Sequence, residues 1–523
     1  MFLIDIASSG KGGHLDRVVI DNDSVRLTDA RGASLIFDGF LHADSDVTMA
    51  DVFTDLRSGG NARLWARISG SLAGAFIEPN REKMVIFADN TGANEIFYWN
   101  SRARHVVSSS LPALLKSIPS SARRLDEDAA AEFQALGTTL LGRTFASGVR
   151  QVTPGRYVRL DANGASVQQA WQYRLDHRAY ANAELDDVVD AGWRAVRQAA
   201  ARLLATLGPN AVVSLGLSGG LDSRLTLCAA TAAGLDIRPY FFGEPGSSEA
   251  DSAAMVARQR GAILRRPGAC STFPQYFRQS LLFQPMADLE WCKYWSGRDQ
   301  LTQSCVAVMS GHLGDHLFGE WSVRARWGPE DDPGLAADLM SSCALEKADD
   351  ATSDRIASEI AVQTAEIGGS VLQRKQGFWY LAINPSIRRC GLFSTCGAVP
   401  HFTLFEDRDV LKHGLAIPLA YRRRNRYYLR LFERYLPDVS PAALPLADGS
   451  NGYKPIEKWL YRNEVFRAEV RKLVDLREIY LPNSRHRRIR DVVESIIRGE
   501  ESRNEIHQFF RCLTIRAYQT TFE

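Results

Sequence analysis

The run Ala211-Val212-Val213-Ser214-Leu215-Gly216-Leu217 leads directly into Ser218-Gly219-Gly220-Leu221-Asp222-Ser223. The first part is short, apolar and rich in β-branched residues, which reads as a buried strand. A helix through Leu225-Thr226-Leu227-Cys228-Ala229 follows the glycine loop. Adjacent glycines let backbone N–H groups approach a phosphate with no Cβ in the way. The helix N-terminus behind them adds the positive end of its dipole. Ser218 and Ser223 offer hydroxyl donors, and Asp222 can hold magnesium against phosphate oxygens. No lysine follows the glycines, so the loop is not of the Walker type. A glycine pair alone is often just a tight turn. The full string between strand and helix is far more specific.

Outward from the loop, Ile237 to Phe242 predicts another strand and Ser252 to Arg260 another helix. Upstream, Leu185 to Leu207 has apolar residues at helical spacing. Strand, loop, helix, strand, helix is the pattern of a parallel α/β sheet. Beyond residue 330 the chain reads as mainly helical with charged faces. The part before about residue 175 reads instead as β-rich with few helices. One hairpin joins Gly74-Ala75-Phe76-Ile77-Glu78 to Met84-Val85-Ile86-Phe87-Ala88 through a Pro79-Asn80-Arg81 turn. A second runs through Tyr157 to Leu160 and turns at Asn163-Gly164. Asp126 to Leu136 predicts a short helix.

A chain of 523 residues has room for two or more domains. Apolar residues at 45% and charged residues at 24% are ordinary for a globular protein. A formal net charge of +2 argues against a protein built mainly to hold nucleic acid. The basic stretches Arg422-Arg423-Arg424-Asn425-Arg426 and Arg485-His486-Arg487-Arg488 read as solvated helix faces, with peptide binding as the alternative. Met1 to Ile6 lacks the features of a secretory leader, and no apolar stretch reaches the roughly 20 residues a bilayer needs. The expectation is a cytoplasmic protein with no membrane partner. The eight cysteines form no C-x-x-C pair and read as small buried apolar residues. Trp291, Tyr294 and Trp295 are candidates for a substrate pocket or for core packing.

The string from Ser218 to Ser223 resembles the signature of the PP-loop ATP pyrophosphatases, which cleave ATP between its α and β phosphates. Ser310-Gly311-His312-Leu313-Gly314-Asp315-His316-Leu317-Phe318-Gly319 resembles the second ATP motif of their asparagine synthetase-like branch. Asp315 matches its second magnesium-binding carboxylate, whereas Leu313 departs from the usual glycine. Phe405-Glu406-Asp407-Arg408-Asp409-Val410 and Leu415-Ala416-Ile417-Pro418 resemble a later helical segment of that branch. Leu72 to Phe76, Ala88 to Gly92 and Gly148 to Tyr157 resemble a glutamine amidotransferase domain. The resemblance implies an α/β protein. Residues 1–175 would form an Ntn-type β-rich sandwich, and 176–523 an adenylating domain with a parallel sheet and a helical C-terminal part.

Glutamine-hydrolysing members use an N-terminal cysteine thiolate. Here Phe2 follows Met1 and the first cysteine is Cys228, so the resemblance implies an amidotransferase domain without its nucleophile. That departure is shared by β-lactam or carbapenam synthetases and by lasso peptide cyclases, which close rings on an acyl-adenylate. Asparagine synthetases usually carry Glu, and β-lactam synthetases Tyr, at the position of His312. His312 followed by Gly314-Asp315-His316-Leu317-Phe318-Gly319 resembles the lasso cyclases. The implied reaction adenylates an Asp or Glu side chain of a core peptide and joins it to the peptide's N-terminal amine. A small-molecule amide ligase and a silent binding scaffold are the alternatives.

The resemblance implies ATP and Mg2+, with Asp222 and Asp315 as metal ligands; a helix N-cap is the plainer role for Asp315. Backbone near Leu217, Phe242 and Gly311 would hold adenine, beside Ser218, Gly219, Gly220, Leu221, Ser223 and Ser310. His312 is a candidate base, or a structural or substrate-contacting residue. Glu346 falls where a partner carboxylate would lie. Lys454, with Lys458 as alternative, falls where relatives place a catalytic lysine; either also reads as a surface residue. Implied partners are the precursor peptide, a leader-binding protein and a leader peptidase.

Overall fold

Met84-Val85-Ile86-Phe87-Ala88 is apolar at every position because the strand it forms is buried on both faces. A computed structural model describes residues 2–7, 14–20, 25–43, 47–58, 68–78, 84–92, 94–102, 104–161, 163–241, 247–265, 305–320, 334–343, 350–383 and 399–444, with single positions at 385, 446, 511 and 515. The N-terminal strands are β1 (Phe2–Ala7), β2 (His14–Ile20), β3 (Val25–Thr28), β4 (Ser34–Ala43), β5 (Ile68–Ile77), β6 (Met84–Ala88), β7 (Phe97–Ser101), β8 (Arg104–Ser108), β9 (Val149–Gln151), β10 (Arg156–Asp161) and β11 (Gly164–Gln169). They form two antiparallel sheets, ordered β2-β1-β8-β7-β9 and β11-β10-β6-β5-β4-β3.

Period-two alternation explains how the layers stack. Ile36, Ala75, Ile86 and Val158 of one sheet meet Ile4, Tyr98 and Val107 of the other in a shared core. The opposite-facing Leu35, Phe76, Val85 and Phe87 pack on Val52, Phe53 and Leu56 of α1 (Met49–Ser58). Leu3, Phe97 and Val106 pack on α2 (Leu111–Ser117) and on Phe133 of α3 (Glu127–Leu136). The result is helix, sheet, sheet, helix. Asp126 caps α3 by accepting from Ala129 N–H at 2.9 Å. Both expected strand pairings form, as β5–β6 and β10–β11, while the Pro79-Asn80-Arg81 turn lies outside the described residues.

The segments quoted above for the amidotransferase resemblance converge. Asp89 accepts from Leu72 N–H at 3.0 Å and Thr91 N–H at 2.7 Å, and Gly155 N–H donates to Asp89 O at 2.8 Å.

From residue 171 the side chains join a second core that includes Tyr173. The strands here are β12 (Val212–Gly216), β13 (Asp236–Tyr240), β14 (Ala307–Ser310) and β15 (His401–Thr403), all parallel, ordered β13-β12-β14-β15. The expected strand over 237–242 therefore ends at Tyr240, and the three-residue β15 was not foreseen. Around the sheet lie α4 (Leu185–Leu207), α5 (Leu221–Ala232), α6 (Ser248–Gln259) and α7 (Gly314–Leu317). Helices α8 (Leu335–Cys343), α9 (Asp350–Ile367) and α10 (Val371–Phe378) pack instead on Ala135, Leu136 and Leu140 of the N-terminal part. Helices α11 (Arg408–Ala416), α12 (Leu419–Arg422) and α13 (Arg426–Tyr435) return to the sheet side. Gly192 of α4 is required by packing, since a Cβ there would lie 1.8 Å from Tyr427 Oη. Among the described residues no helix is long and apolar enough to cross a membrane.

Candidate active site at the ends of β12 and β14

β12 lies between β13 and β14, so the chain leaves it first toward one side of the sheet and later toward the other. In open parallel sheets such a reversal leaves a crevice at the carboxyl ends of the strands, where ligands bind. The loop from Ser218 to Ser223 leaves the end of β12, and the segment from Ser310 to Gly319 leaves the end of β14.

Gly219 takes φ +74°, and a Cβ there would sit 2.6 Å from Ser252 Oγ. Gly220 is the N-cap of α5 and carries no side-chain cap, which leaves N-terminal amides of the helix available. Ser218 and Ser223 place their hydroxyls 3.3 Å apart, and Ser223 Oγ donates to Gly220 O at 3.2 Å. Beneath the loop, fully buried Arg224 donates to Gly219 O at 2.7 Å, Ser252 Oγ at 2.9 Å and Leu444 O at 2.6 Å. Burial lowers its guanidinium to about 10. Arg224 therefore fixes the loop from behind. Only its place after the motif could have signalled that role.

The two motifs touch. Asp315 N–H donates to Asp222 Oδ2 at 3.0 Å, and Tyr428 O–H donates to Asp222 Oδ1 at 2.6 Å. The approach needs glycine: a Cβ on Gly314 would lie 2.6 Å from Asp222 Cγ, and one on Gly311 2.6 Å from Ser223 N. Burial and then the Asp315 charge push the Asp222 carboxyl up to about 7. Asp222 lies in the first turn of α5 and Asp315 in that of α7, whose N-cap is Leu313.

Leu313, where the resembled motif has glycine, adopts φ 72° with a buried side chain. Its place in the core offsets a left-handed backbone that costs a leucine about 1 kcal/mol or more.

Ser310, Gly311 and His312 line the start of this segment. Ser310 Oγ accepts from His312 N–H at 3.2 Å, and Thr403 Oγ1 of β15 donates to His312 O at 2.9 Å. Leu217 is held by its N–H donating to Tyr240 O at 2.9 Å. His316 is buried, and burial, then Arg422, lowers it to about 3, so it stays neutral. Phe242, Glu346, Lys454 and Lys458 lie outside the described residues, as do Trp291, Tyr294, Trp295 and the stretch from Arg485 to Arg488.

One expectation fails. Arg422, read as part of a solvated helix face, is 1% exposed, while Arg423, Arg424 and Arg426 are exposed. Arg422 donates to the carbonyls of His316 and Gly319, the latter at 3.1 Å, and so braces the end of α7. The helical reading fails at the same place, because Arg424 and Asn425 both take φ 54° between α12 and α13.

Hard oxygen donors suit magnesium, which usually takes one or two carboxylates and completes its shell with phosphates and water. Asp222 and Asp315 fit that pattern. Among the described residues no group of three or more His, Cys, Asp or Glu side chains forms a self-sufficient metal cage.

Residues 42–172 match the family model of the glutamine amidotransferase domain. An amidotransferase-type domain points to an enzyme. No curated protein matches the sequence. Similar solved structures include the allosteric regulatory enzyme of purine biosynthesis, at 11% identity and TM-score 0.19, over 51% of this chain and 75% of that one. Another is glutamine phosphoribosylpyrophosphate amidotransferase from B. subtilis complexed with ADP and GMP, at 10% identity and TM-score 0.20, over 59% of this chain and 75% of that one.

Proposed function

We propose that the chain is an ATP-dependent, AMP-forming carbon–nitrogen ligase, and specifically a lasso peptide cyclase. The supporting observation is the direct bond from Asp315 N–H to Asp222 Oδ2, at 3.0 Å, where the strand order reverses. It joins two loops whose sequences resemble the two ATP motifs of one enzyme family. In this reading residues 1–175 are an amidotransferase-like domain and 176–523 the adenylating domain. Residues 1–227 contain no cysteine, so the matched domain has no thiolate and the amine comes from the substrate itself.

Amides of the glycine loop and the hydroxyls of Ser218 and Ser223 bind the leaving pyrophosphate. Asp222 and Asp315 would hold Mg2+, which when bound neutralises charge on the phosphates. An Asp or Glu carboxylate of the core peptide bonds to the α-phosphorus as the bond to the bridging oxygen breaks, and pyrophosphate departs. The peptide's N-terminal amine then bonds to the acyl carbon and loses a proton, while AMP leaves with the C–O electron pair. His312 is the proposed acceptor of that proton, and Lys454 the proposed cation on the phosphates. Positioning both ends of one peptide removes most of the entropic barrier to ring closure. A leader-binding protein and a leader peptidase, all cytoplasmic, complete the proposal.

The test is mass spectrometry of the protein with ATP, Mg2+ and the linear core peptide encoded beside its gene. Loss of one water from the peptide together with AMP release is expected. AMP without a ring would move the substrate to a small molecule. Neither product from a folded protein would sink the ligase reading.

A further inference from the structure

Tyr428 stands 206 residues from Asp222 in sequence, yet its hydroxyl meets that carboxylate at 2.6 Å. The side chain is 1% exposed and wedged between Phe318 and Phe432, with ring centroids 5.7 and 6.3 Å away. Packing of this kind leaves the ring one orientation. The segment before it is shaped to deliver it. Arg424 and Asn425 turn the chain through the left-handed region, Glu320 N–H donates to Asn425 Oδ1 at 3.0 Å, and Arg424 N–H donates to Glu320 Oε2 at 2.7 Å. Glu320 directly follows the second motif, so the Tyr428 helix is tied to the loop that carries Asp315.

Asp222 is thereby held on three sides: by Tyr428 O–H, by Asp315 N–H and by the bare Cα of Gly314. Each carboxylate oxygen accepts one hydrogen bond and keeps further lone-pair capacity. We propose that Tyr428 is a positioning residue for Asp222, fixing the carboxylate so that its remaining lone pairs face a metal–nucleotide complex. Outer partners of this kind orient metal ligands, and removing one typically costs about 10- to 100-fold in metal affinity or activity. Buried Arg422, bonded to the carbonyls of His316 and Gly319, braces the Asp315 side of the same arrangement. The proposal rests on the adenylation reading above.

The adjacent Tyr427 supplies the control. It is equally buried, but its hydroxyl pairs with His413 Nε2 at 2.8 Å and not with the carboxylates. Both Tyr428→Phe and Tyr427→Phe keep the ring and remove one oxygen. Binding of Mn2+–ATP, read by electron paramagnetic resonance, is expected to weaken about ten-fold or more in Tyr428→Phe. KM for ATP should rise with it, while Tyr427→Phe binds as the wild type does. Wild-type affinity in Tyr428→Phe, or an equal loss in Tyr427→Phe, overturns the positioning role alone. A folded wild-type protein that binds no Mn2+–ATP overturns the adenylation reading and this proposal with it.

Discussion

Asp5, buried on an inner strand of the sandwich, and Asp222, half-buried in the first turn of α5, are carboxylates in very different company. Asp5 is gripped by Arg104 through both oxygens, with the Nε bond at 2.6 Å. Glu132, fully buried in α3, takes Arg143, Arg355 at 3.1 Å and the Leu140 N–H at 2.7 Å. In the N-terminal half, acids taken out of water meet cations or several donors. Asp222 meets a phenol, an amide and another acid, and no cation among the described residues. A carboxylate compensated within the fold maintains structure. One short of positive charge in a crevice fits the place where the proposed reading puts a metal–nucleotide ligand.

Replacing Asp222 by Asn should break the contrast most severely. AMP formation is expected to fall about a thousand-fold or more, since metal-held charge stabilisation is worth several kcal/mol. The nucleotide-free variant should nonetheless unfold at a higher temperature than the wild type, because a strained negative charge has gone. A variant that melts earlier would place Asp222 with the structural acids.

Acidity sharpens the same point. The Asp222 carboxyl, raised to about 7, stays protonated in the fold where the unfolded chain has already released its proton. Its contribution therefore favours the folded state near pH 4 and is lost as pH rises toward 7, by at most about 4 kcal/mol and less where solvent reaches it. Urea midpoints of the wild type, measured against Asp222→Asn from pH 4 to 7, should diverge in that direction. Parallel profiles would contradict it.

Arg143→Ala tests the other side. It strips a cation from Glu132 and from Glu359, which it reaches at 2.6 Å, leaving Arg355 as the remaining arginine. Burial already pushes the Glu132 carboxyl up, so the loss should cost about 3 kcal/mol by chemical denaturation. Mn2+–ATP affinity should be unaffected in the protein that remains folded. At the small end lies Arg434→Ala. Arg434 bonds Asp190 at 3.0 Å on the exposed face between α4 and α13, and the melting temperature should not move measurably.

The glycine loop was legible because its chemistry is local: glycines, hydroxyls and one acid within six residues, bounded by a strand and a helix. Helix α4 was legible over Leu185–Leu207 because its periodicity is long. What escaped depends on distant contacts. β15 is three residues of a buried sheet edge, too short to carry a period. Arg422 looks like any member of a basic run until the carbonyls of α7 come to meet it. Tyr428 reads as half of an aromatic pair, and only the fold sends its hydroxyl to Asp222 and that of Tyr427 to His413. The short helix α2, by contrast, had a usable signal in its Ser110 cap and early proline, which the β-rich context masked.

The bond from Asp315 N–H to Asp222 spans 93 residues of chain, and that from Tyr428 spans 206. Closing such loops is slow compared with forming a helix. A chain still emerging from the ribosome holds the glycine loop long before it holds the second acid, and gains the phenol later still. A truncated or half-folded copy would thus carry a recognisable phosphate loop and lack the assembled carboxylate pair. Under the proposed reading, metal–nucleotide binding would therefore require a complete and folded chain.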